Sequence, residues 1–276
     1  MENVSPSGAR DVLGGRVAWR ERGAGELVIL LHGMGGSRIS WEPQFAGLGT
    51  SWRVAAWDLP GYGGSAPIAE SPPTFRAWTD AAVGWITTLG AHRVHVVGIS
   101  MGGMVAQYLA AWHPTRVQTL TLLSTSPRFG LDGTLPDEWK ATRLAQLDDG
   151  ATPADFAESL VRRIGGPGMS DAVVEEQRAA MARISSVALR SSIECIVTHD
   201  SRRLLPQIVA PTLVLAGEFD SETPPEYSHY LAEHIPKARL VVVPHAGHLL
   251  NAEAPEMVNR LIAAHLTAHS LGGEAQ

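Results

Sequence analysis

The 276-residue sequence has a single cysteine, no long run of charge of one sign and no apolar stretch of membrane-spanning length. With only Cys195, neither an intrachain disulfide nor a cysteine-only metal cluster can form, and a cytoplasmic location is expected. Nothing approaches the roughly 18 consecutive apolar residues of a membrane-spanning helix. Residues 1–8 lack the basic-then-apolar layout of a secretory signal. These absences disfavour a membrane protein and a secreted disulfide scaffold.

Charge is also modest: the net charge is −6, from 22 basic and 28 acidic residues spread along the chain. This distribution is not that of a nucleic-acid-binding surface, so no nucleic-acid partner is expected. Hydrophobic residues make up 45% of the chain and charged residues 18%, as in ordinary globular proteins. A chain of this length can bury a full core.

What the sequence does contain is a series of short apolar runs alternating with longer amphipathic stretches. The runs predict strands at 27–31, 53–57, 94–97, 117–123, 211–216 and 239–243. The amphipathic stretches predict helices at about 75–89, 105–112, 225–235 and 255–269. Continuous apolar strands that alternate with helices indicate an α/β fold with a mostly parallel sheet covered on both faces.

Between residues 127 and 206 the pattern changes, because apolar residues recur there at helical spacing. We therefore predict a helical cap at 127–206, inserted between two parts of one α/β core at 1–126 and 207–276. Residues 270–276 are expected to form a frayed tail.

The strongest chemical signal is the segment Gly98-Ile-Ser-Met-Gly-Gly103, which lies between a predicted strand and a predicted helix. A sharp turn from strand to helix can raise a serine hydroxyl above the sheet edge, and the flanking glycines allow close backbone approach. The alternative is a Gly-Ser loop that only turns the chain. Ser100 is thus a candidate nucleophile, which would need a base and a group that orients the base.

The best candidate base is His248, in the segment that follows the last predicted strand, where ligands bind in open α/β sheets. His248 follows the flexible Gly247, so its ring can turn over the sheet, whereas His245 is interpreted as a loop residue. For the orienting acid, Asp220 is preferred to Glu218, although Asp220 could simply cap a turn.

Backbone N–H groups for an oxyanion are predicted at Met34, in the glycine-rich loop 32–36, and at Met101, which follows the serine. A glycine-rich loop after a strand could instead bind a phosphate. However, the sequence has neither G-x-G-x-x-G nor G-K-[ST], so nucleotide binding is disfavoured. We expect no cofactor and no metal. Asp58, which opens a Pro-Gly turn, is interpreted as structural.

These motifs together resemble the α/β-hydrolase fold family over about residues 15–266. The motifs that carry the resemblance are 32–33, 58–65, 98–103, 217–224 and 247–248. Within the family, 100–107 and 246–255 are most similar to the branch of 3-oxoadipate enol-lactonase-like hydrolases and small carboxylesterases. The resemblance implies the chain order oxyanion loop, Ser100, Asp220, His248.

The sequence departs from several branches of that family. Enol-lactonases act on an acidic substrate, but no basic cluster marks a carboxylate pocket here, and only Arg38 and Arg128 are candidates. Carbon–carbon bond hydrolases usually carry Asn where Ile99 stands, and haloalkane dehalogenases carry Asp where Ser100 stands. The expected function is therefore hydrolysis of a carboxylic ester or lactone. The alternatives are a carbon–carbon bond hydrolase and a ligand receptor on the same fold.

The cap is expected to close over the serine and form a mostly apolar pocket for a small-molecule ester or lactone. Its candidate lining residues are large and apolar: Met104, Trp139, Phe156, Leu160 and Met181. For Trp139, Phe156, Leu160 and Met181 the alternative is that they only pack the helices of the cap. No membrane partner is expected, and the protein is predicted to be a monomer or a homodimer.

Overall fold

The computed structural model describes residues 5–270, so the predicted tail lies outside the described residues except for Ser270. The strands of this part of the chain are β1 (Arg10–Gly14), β2 (Val17–Arg22), β3 (Leu27–Leu31), β4 (Arg53–Trp57), β5 (Val94–Ile99), β6 (Val117–Leu123), β7 (Thr212–Gly217) and β8 (Ala238–Val243). They form one sheet in the order β1-β2-β4-β3-β5-β6-β7-β8. β3 to β8 pair in parallel, as predicted, and β1 and β2 add an antiparallel edge.

The helices within the described residues are α1 (Glu42–Leu48), α2 (Phe75–Thr88), α3 (Met101–Trp112), α4 (Pro136–Asp148), α5 (Pro153–Ile164), α6 (Asp171–Met181), α7 (Ser186–Ile196), α8 (Pro225–His234), α9 (Leu250–Glu253) and α10 (Pro255–Thr267). Short 3₁₀ turns lie at Arg38–Trp41, Pro114–Arg116 and Leu205–Gln207. Within residues 5–270, no helix is long and apolar enough to cross a bilayer.

Strand β3 shows why the sheet is covered on both faces. Leu27, Ile29 and Leu31 belong to the core on one side of the sheet, together with residues of α2 and α3. Val28 and Leu30 belong to the core on the other side, with residues of α1 and α10. Every residue of β3 is buried, so the strand is apolar throughout rather than alternating.

The segment between β6 and β7 contains the helices α4 to α7 and is called the insertion below. Its helices begin at recognisable N-terminal signals, because the Ser170 and Ser185 hydroxyls accept the N–H groups of Val173 and Ala188. Helices were predicted in this part of the chain. The boundaries 127 and 206 of a separate cap stay a prediction.

The antiparallel edge was not predicted, because its strands are not apolar runs. β2 carries the charged residues Arg20 and Glu21, which are nevertheless buried. Arg20 donates to Asp11 at 2.9 Å, and Arg53 donates to Glu21 at 3.0 Å. Ion pairs that satisfy these charges are what allow a polar sequence to form a sheet edge.

Arg38 does not contribute to a substrate pocket, contrary to the sequence-based suggestion. It is 3% exposed, and its guanidinium donates to Asp11 at 3.0 Å and to the buried Asp58. The Asp58 carboxylate also accepts the backbone N–H groups of Arg38 and Gly64, each at 2.9 Å. Asp58 therefore joins the loop after β4 to the turn that follows β3, which agrees with its predicted structural role.

Substituting Arg38 with Met should destabilise the fold strongly, because it leaves Asp58 buried without a counter-charge. Breaking a buried ion pair typically lowers the free energy of unfolding by about 3–5 kcal/mol. Urea denaturation measures this loss. Arg178→Met is the control, since Arg178 pairs with Glu175 on the surface and its loss should change little. Equal losses in both variants would contradict this account of the Asp58 network.

Candidate active site

Ser100 lies between the last residue of β5 and the first residue of α3, with a backbone φ of +53°. This left-handed conformation costs a non-glycine residue on the order of 1–3 kcal/mol. It is compatible with the fold only because the neighbouring glycines have no side chains. A Cβ on Gly98 would lie 2.5 Å from the Gly102 oxygen, and one on Gly102 would lie 2.0 Å from the Leu31 oxygen. The helix begins at Met101, four residues earlier than predicted.

Asp220 and His248 form a buried pair in the loops that follow β7 and β8. The Nδ1 atom of His248 lies 3.0 Å from each carboxylate oxygen of Asp220, and the two residues are 7% and 4% exposed. Asp220 also accepts the backbone N–H groups of Glu222 and Thr223 and the Thr223 hydroxyl, at 3.0, 2.9 and 2.8 Å. These donors fix the carboxylate, and sequence reasoning did not identify Thr223.

The pair stabilises the charged form of each partner. Burial alone would lower the pKa of His248, but the nearby carboxylates, Asp220 most of all and then Glu222 and Glu253, together outweigh burial and raise this pKa above its usual value. Burial alone would raise the pKa of Asp220, but the charge and hydrogen bond of His248 outweigh it and lower this pKa. An aspartate beside an imidazole that can take up a proton is the arrangement of a general base with its orienting acid.

The competing candidates lie apart from this pair. His245 and Glu218 are exposed, and the Glu218 carboxylate accepts the backbone N–H of His245 at 2.9 Å. Glu218 therefore holds the loop after β8 rather than a histidine ring. The structure brings together the two residues that the sequence analysis preferred, Asp220 and His248.

The loop after β3 lies directly against Ser100, since a Cβ on Gly33 would be only 2.9 Å from the Cβ of Ser100. His32 fixes this loop from below the surface. Its Nε2 accepts the Leu59 N–H at 2.9 Å, so its Nδ1 carries the proton and donates to the Gly33 oxygen, also at 2.9 Å. Burial lowers the pKa of His32, which keeps its ring neutral.

Ser100 and His248 line a cavity of about 670 Å³. The residues that the sequence analysis proposed for the oxyanion loop and the pocket also line it: Met34, Met104, Trp139, Phe156, Leu160 and Met181. Met104 and Met181 are also buried in the hydrophobic core, so each of them both lines the cavity and packs against core residues. A second cavity of about 60 Å³ shares Ser100, His248 and Met34 with the first.

Two arginines at the large cavity were missed in the sequence. Arg143 of α4 and Arg163 of α5 donate to the same carboxylate, Glu222, at 2.8 and 3.1 Å, and all three residues line the cavity. They are distant in sequence, so no local motif marks them. Arg128, one of the two suggested basic residues, is exposed and is not among the residues that line this cavity.

The helix-covered sheet and the polar residues at its strand ends define an α/β protein with a cavity at the carboxyl edge of the sheet. The chain belongs to the alpha/beta hydrolase family, whose model matches residues 28–261. This confirms the resemblance found in the motifs. Membership of this family supports a hydrolytic activity, but the fold alone does not fix which reaction is catalysed.

Relatives narrow the reaction class. A pimeloyl-acyl-carrier-protein methyl ester esterase from Neisseria meningitidis serogroup C is 33% identical over 82% of this chain and 89% of that protein. A thermophilic esterase from Thermogutta terrifontis has a TM-score of 0.82 and 29% identity, covering 98% of this chain and 97% of that chain. The enol-lactonase from Burkholderia xenovorans LB400 has a TM-score of 0.82 and 26% identity, covering 94% and 97%. These relatives support an ester hydrolase.

The raised pKa of His248 predicts the pH dependence of ester hydrolysis. If His248 is the base it must be neutral to act, so kcat/KM should fall as the pH decreases through this pKa, with a midpoint above the usual pKa of an imidazole. Asp220→Asn should move the midpoint to lower pH and reduce kcat by about 10⁴-fold. Glu218→Gln is the matched control and should leave the midpoint in place. An unchanged midpoint in Asp220→Asn would show that Asp220 does not raise this pKa.

Proposed function

We propose that this protein is a serine hydrolase that cleaves a carboxylic ester or a lactone through an acyl-enzyme, without a cofactor. The observation that carries the proposal is the buried Asp220–His248 pair, at the same cavity as the strained Ser100. The esterases and the enol-lactonase among its relatives support the same class of reaction.

In the proposed mechanism the Ser100 hydroxyl attacks the substrate carbonyl, and His248 takes up its proton. Asp220 holds the imidazole in the productive tautomer and stabilises the imidazolium. The backbone N–H groups of Met34 and Met101 bind the oxyanion; Met101 opens α3, where a helix leaves N–H groups without intrahelical acceptors. His248 then protonates the leaving oxygen. It next accepts a proton from the water that attacks the acyl-enzyme, and it donates this proton to the Ser100 oxygen as the bond between the acyl group and Ser100 breaks.

The two cavities suggest how an ester is divided at Ser100. They have volumes of about 670 and 60 Å³ and share Ser100 and His248, so a large group and a small group can extend in different directions. We assign the acyl group to the large cavity and a small alcohol to the small one. The charges that line the large cavity balance, because Arg143 and Arg163 are offset by Asp132 and Glu222. This balance supports a preference for neutral acyl groups over dicarboxylates.

Two alternatives stay open to test: a carbon–carbon bond hydrolase with the same residues and a ligand receptor. Multiple turnovers of a simple aryl ester would exclude the receptor. Faster cleavage of vinylogous diketones than of esters would favour carbon–carbon bond hydrolysis. A cytoplasmic location and a monomeric or homodimeric state also stay predictions.

Ser100→Ala and His248→Asn should each lower kcat by about 10⁴-fold or more while the protein remains folded. The double variant should be little worse than either single variant, because the residues act as one unit. His245→Asn is the matched control in the same loop and should retain activity. A serine-directed phosphonate should label Ser100 alone. Wild-type turnover by a folded Ser100→Ala protein would exclude the mechanism.

Hydrolysis should survive exhaustive treatment with a chelator, because the proposed chemistry uses only protein groups. In residues 5–270, no cluster of three or more His, Cys, Asp or Glu side chains could hold a metal ion. The measurement is the rate of aryl ester hydrolysis before and after dialysis against EDTA. Loss of activity that zinc or manganese restores would contradict the proposal.

Trp139→Ala and Phe156→Ala should change the ranking of acyl chain lengths more than they change the rate with an acetate ester. One methylene in an apolar pocket is worth about 1–3 kcal/mol, so the discrimination should be graded. Tyr230→Ala, outside the large cavity, is the control. An unchanged ranking in both cavity variants, or a strong preference for a dicarboxylic lactone, would contradict this account of the cavity.

A further inference from the structure

The carboxylate of Glu253, at the end of α9, binds the loop after β8 on both sides of His248. One oxygen of Glu253 accepts the backbone N–H of Leu249 at 3.0 Å. The other oxygen accepts the N–H of Gly247 at 3.0 Å and the N–H of Gly166 at 2.7 Å. Both neighbours of His248 are therefore bound to Glu253. The third donor comes from the insertion, 87 residues away in sequence.

The histidine loop also contacts the insertion directly. The backbone N–H of His248 donates to the Ile164 oxygen, the last residue of α5, at 2.9 Å. Next to this bond, Gly166 and Gly247 meet backbone to backbone: a Cβ on Gly166 would lie 2.6 Å from the Gly247 nitrogen. Three consecutive N–H groups, at residues 247 to 249, are thus satisfied by Glu253 and the insertion together.

Local capping of α9 does not account for this arrangement. A cap would need only the bond from Leu249, which precedes the helix. The bond from Gly166 instead joins the junction after α5 to the loop after β8. α5 carries Phe156 and Leu160 at the large cavity, so this junction belongs to a helix that would contact substrate.

We propose that Glu253 is a positioning residue. It couples the position of the insertion, relative to the loop after β8, to the orientation of the His248 ring. The inference rests on the proposed role of His248 as the base. When the junction after α5 lies against the loop after β8, Glu253 and Ile164 bind the backbone at and on both sides of His248. This holds the His248 ring at Asp220. When the junction shifts, the His248 N–H loses the Ile164 oxygen and the Glu253 carboxylate loses the Gly166 N–H, so the ring is no longer held for proton transfer. Misplacement of a catalytic group by about 1 Å can cost about 100-fold in rate.

The first test separates the insertion from the histidine loop without changing any charge. In Gly166→Ala the new Cβ meets the Gly247 nitrogen, whereas in the control Gly168→Ala it meets nothing within 4 Å. Gly166→Ala should lower kcat by at least about 10-fold and lower the pKa of His248, measured by NMR titration of its ring. Gly168→Ala should match the wild type in both measurements.

The second test shortens the carboxylate and keeps its charge, and it decides the question if Gly166→Ala fails to fold. Glu253→Asp withdraws the acceptor from Gly166 and should reproduce the losses in kcat and in His248 pKa. Glu256→Asp, on the exposed side of α10, is the matched control and should change neither. A lower melting temperature with wild-type kcat and wild-type His248 pKa in the folded variants would overturn the coupling.

Failure of the proposed function gives a different result. If the wild type turns over no ester, that function is wrong, and the His248 titration still tests the coupling. If the wild type is active and both folded variants keep its kcat and its His248 pKa, the coupling alone is wrong.

Discussion

The site depends on one backbone constraint, the left-handed conformation of Ser100 between β5 and α3. A serine in this conformation stands above the sheet edge only if the strand, the helix and the loop after β3 approach closely. Side chains at Gly98, Gly102 or Gly33 would prevent that approach, because each Cβ would lie within 2.9 Å of a neighbouring atom. The strain at one residue is therefore maintained by the absence of side chains around it.

The remaining polar residues of the site act by satisfying one another's hydrogen-bonding groups. Asp220 receives donors from His248, Thr223 and Glu222, and Glu253 receives three backbone N–H groups. Glu222 also accepts from both cavity arginines. Each of the two loops that carry His248 and Asp220 is thus tied to the insertion through a carboxylate. Buried polar networks are rigid when they are fully satisfied, and this rigidity is what a preorganised site requires.

Sequence patterns predicted the parts of the molecule that are locally encoded. The strands β3 to β8 are apolar runs, and Ser100, Asp220 and His248 each follow one of them. Searching for polar residues after predicted strands therefore identified Asp220 and His248, which the structure brings together. The edge strands were missed because their buried charges are paired across strands. Arg38 was misinterpreted for the same reason, since its partner Asp58 is 20 residues away. Arg143 and Glu253 bind partners 79 and 87 residues away, which no spacing in the sequence reveals. Thr223 lies only three residues from Asp220, but a threonine after an aspartate is equally typical of an ordinary turn.

The conformation of the loop beside Ser100 depends on His32 remaining neutral, so acid should affect this loop in a different way from His248. Its Nε2 is an acceptor for the Leu59 N–H, so a second proton on the ring would set two donors against each other. Burial lowers the pKa of His32, and protonation would therefore occur only in more acidic solution than protonation of His248. Charging His32 would require the loop to leave its buried site, because the added proton would face the Leu59 N–H. Recovery from strong acid would then follow the slower kinetics of loop refolding and show hysteresis.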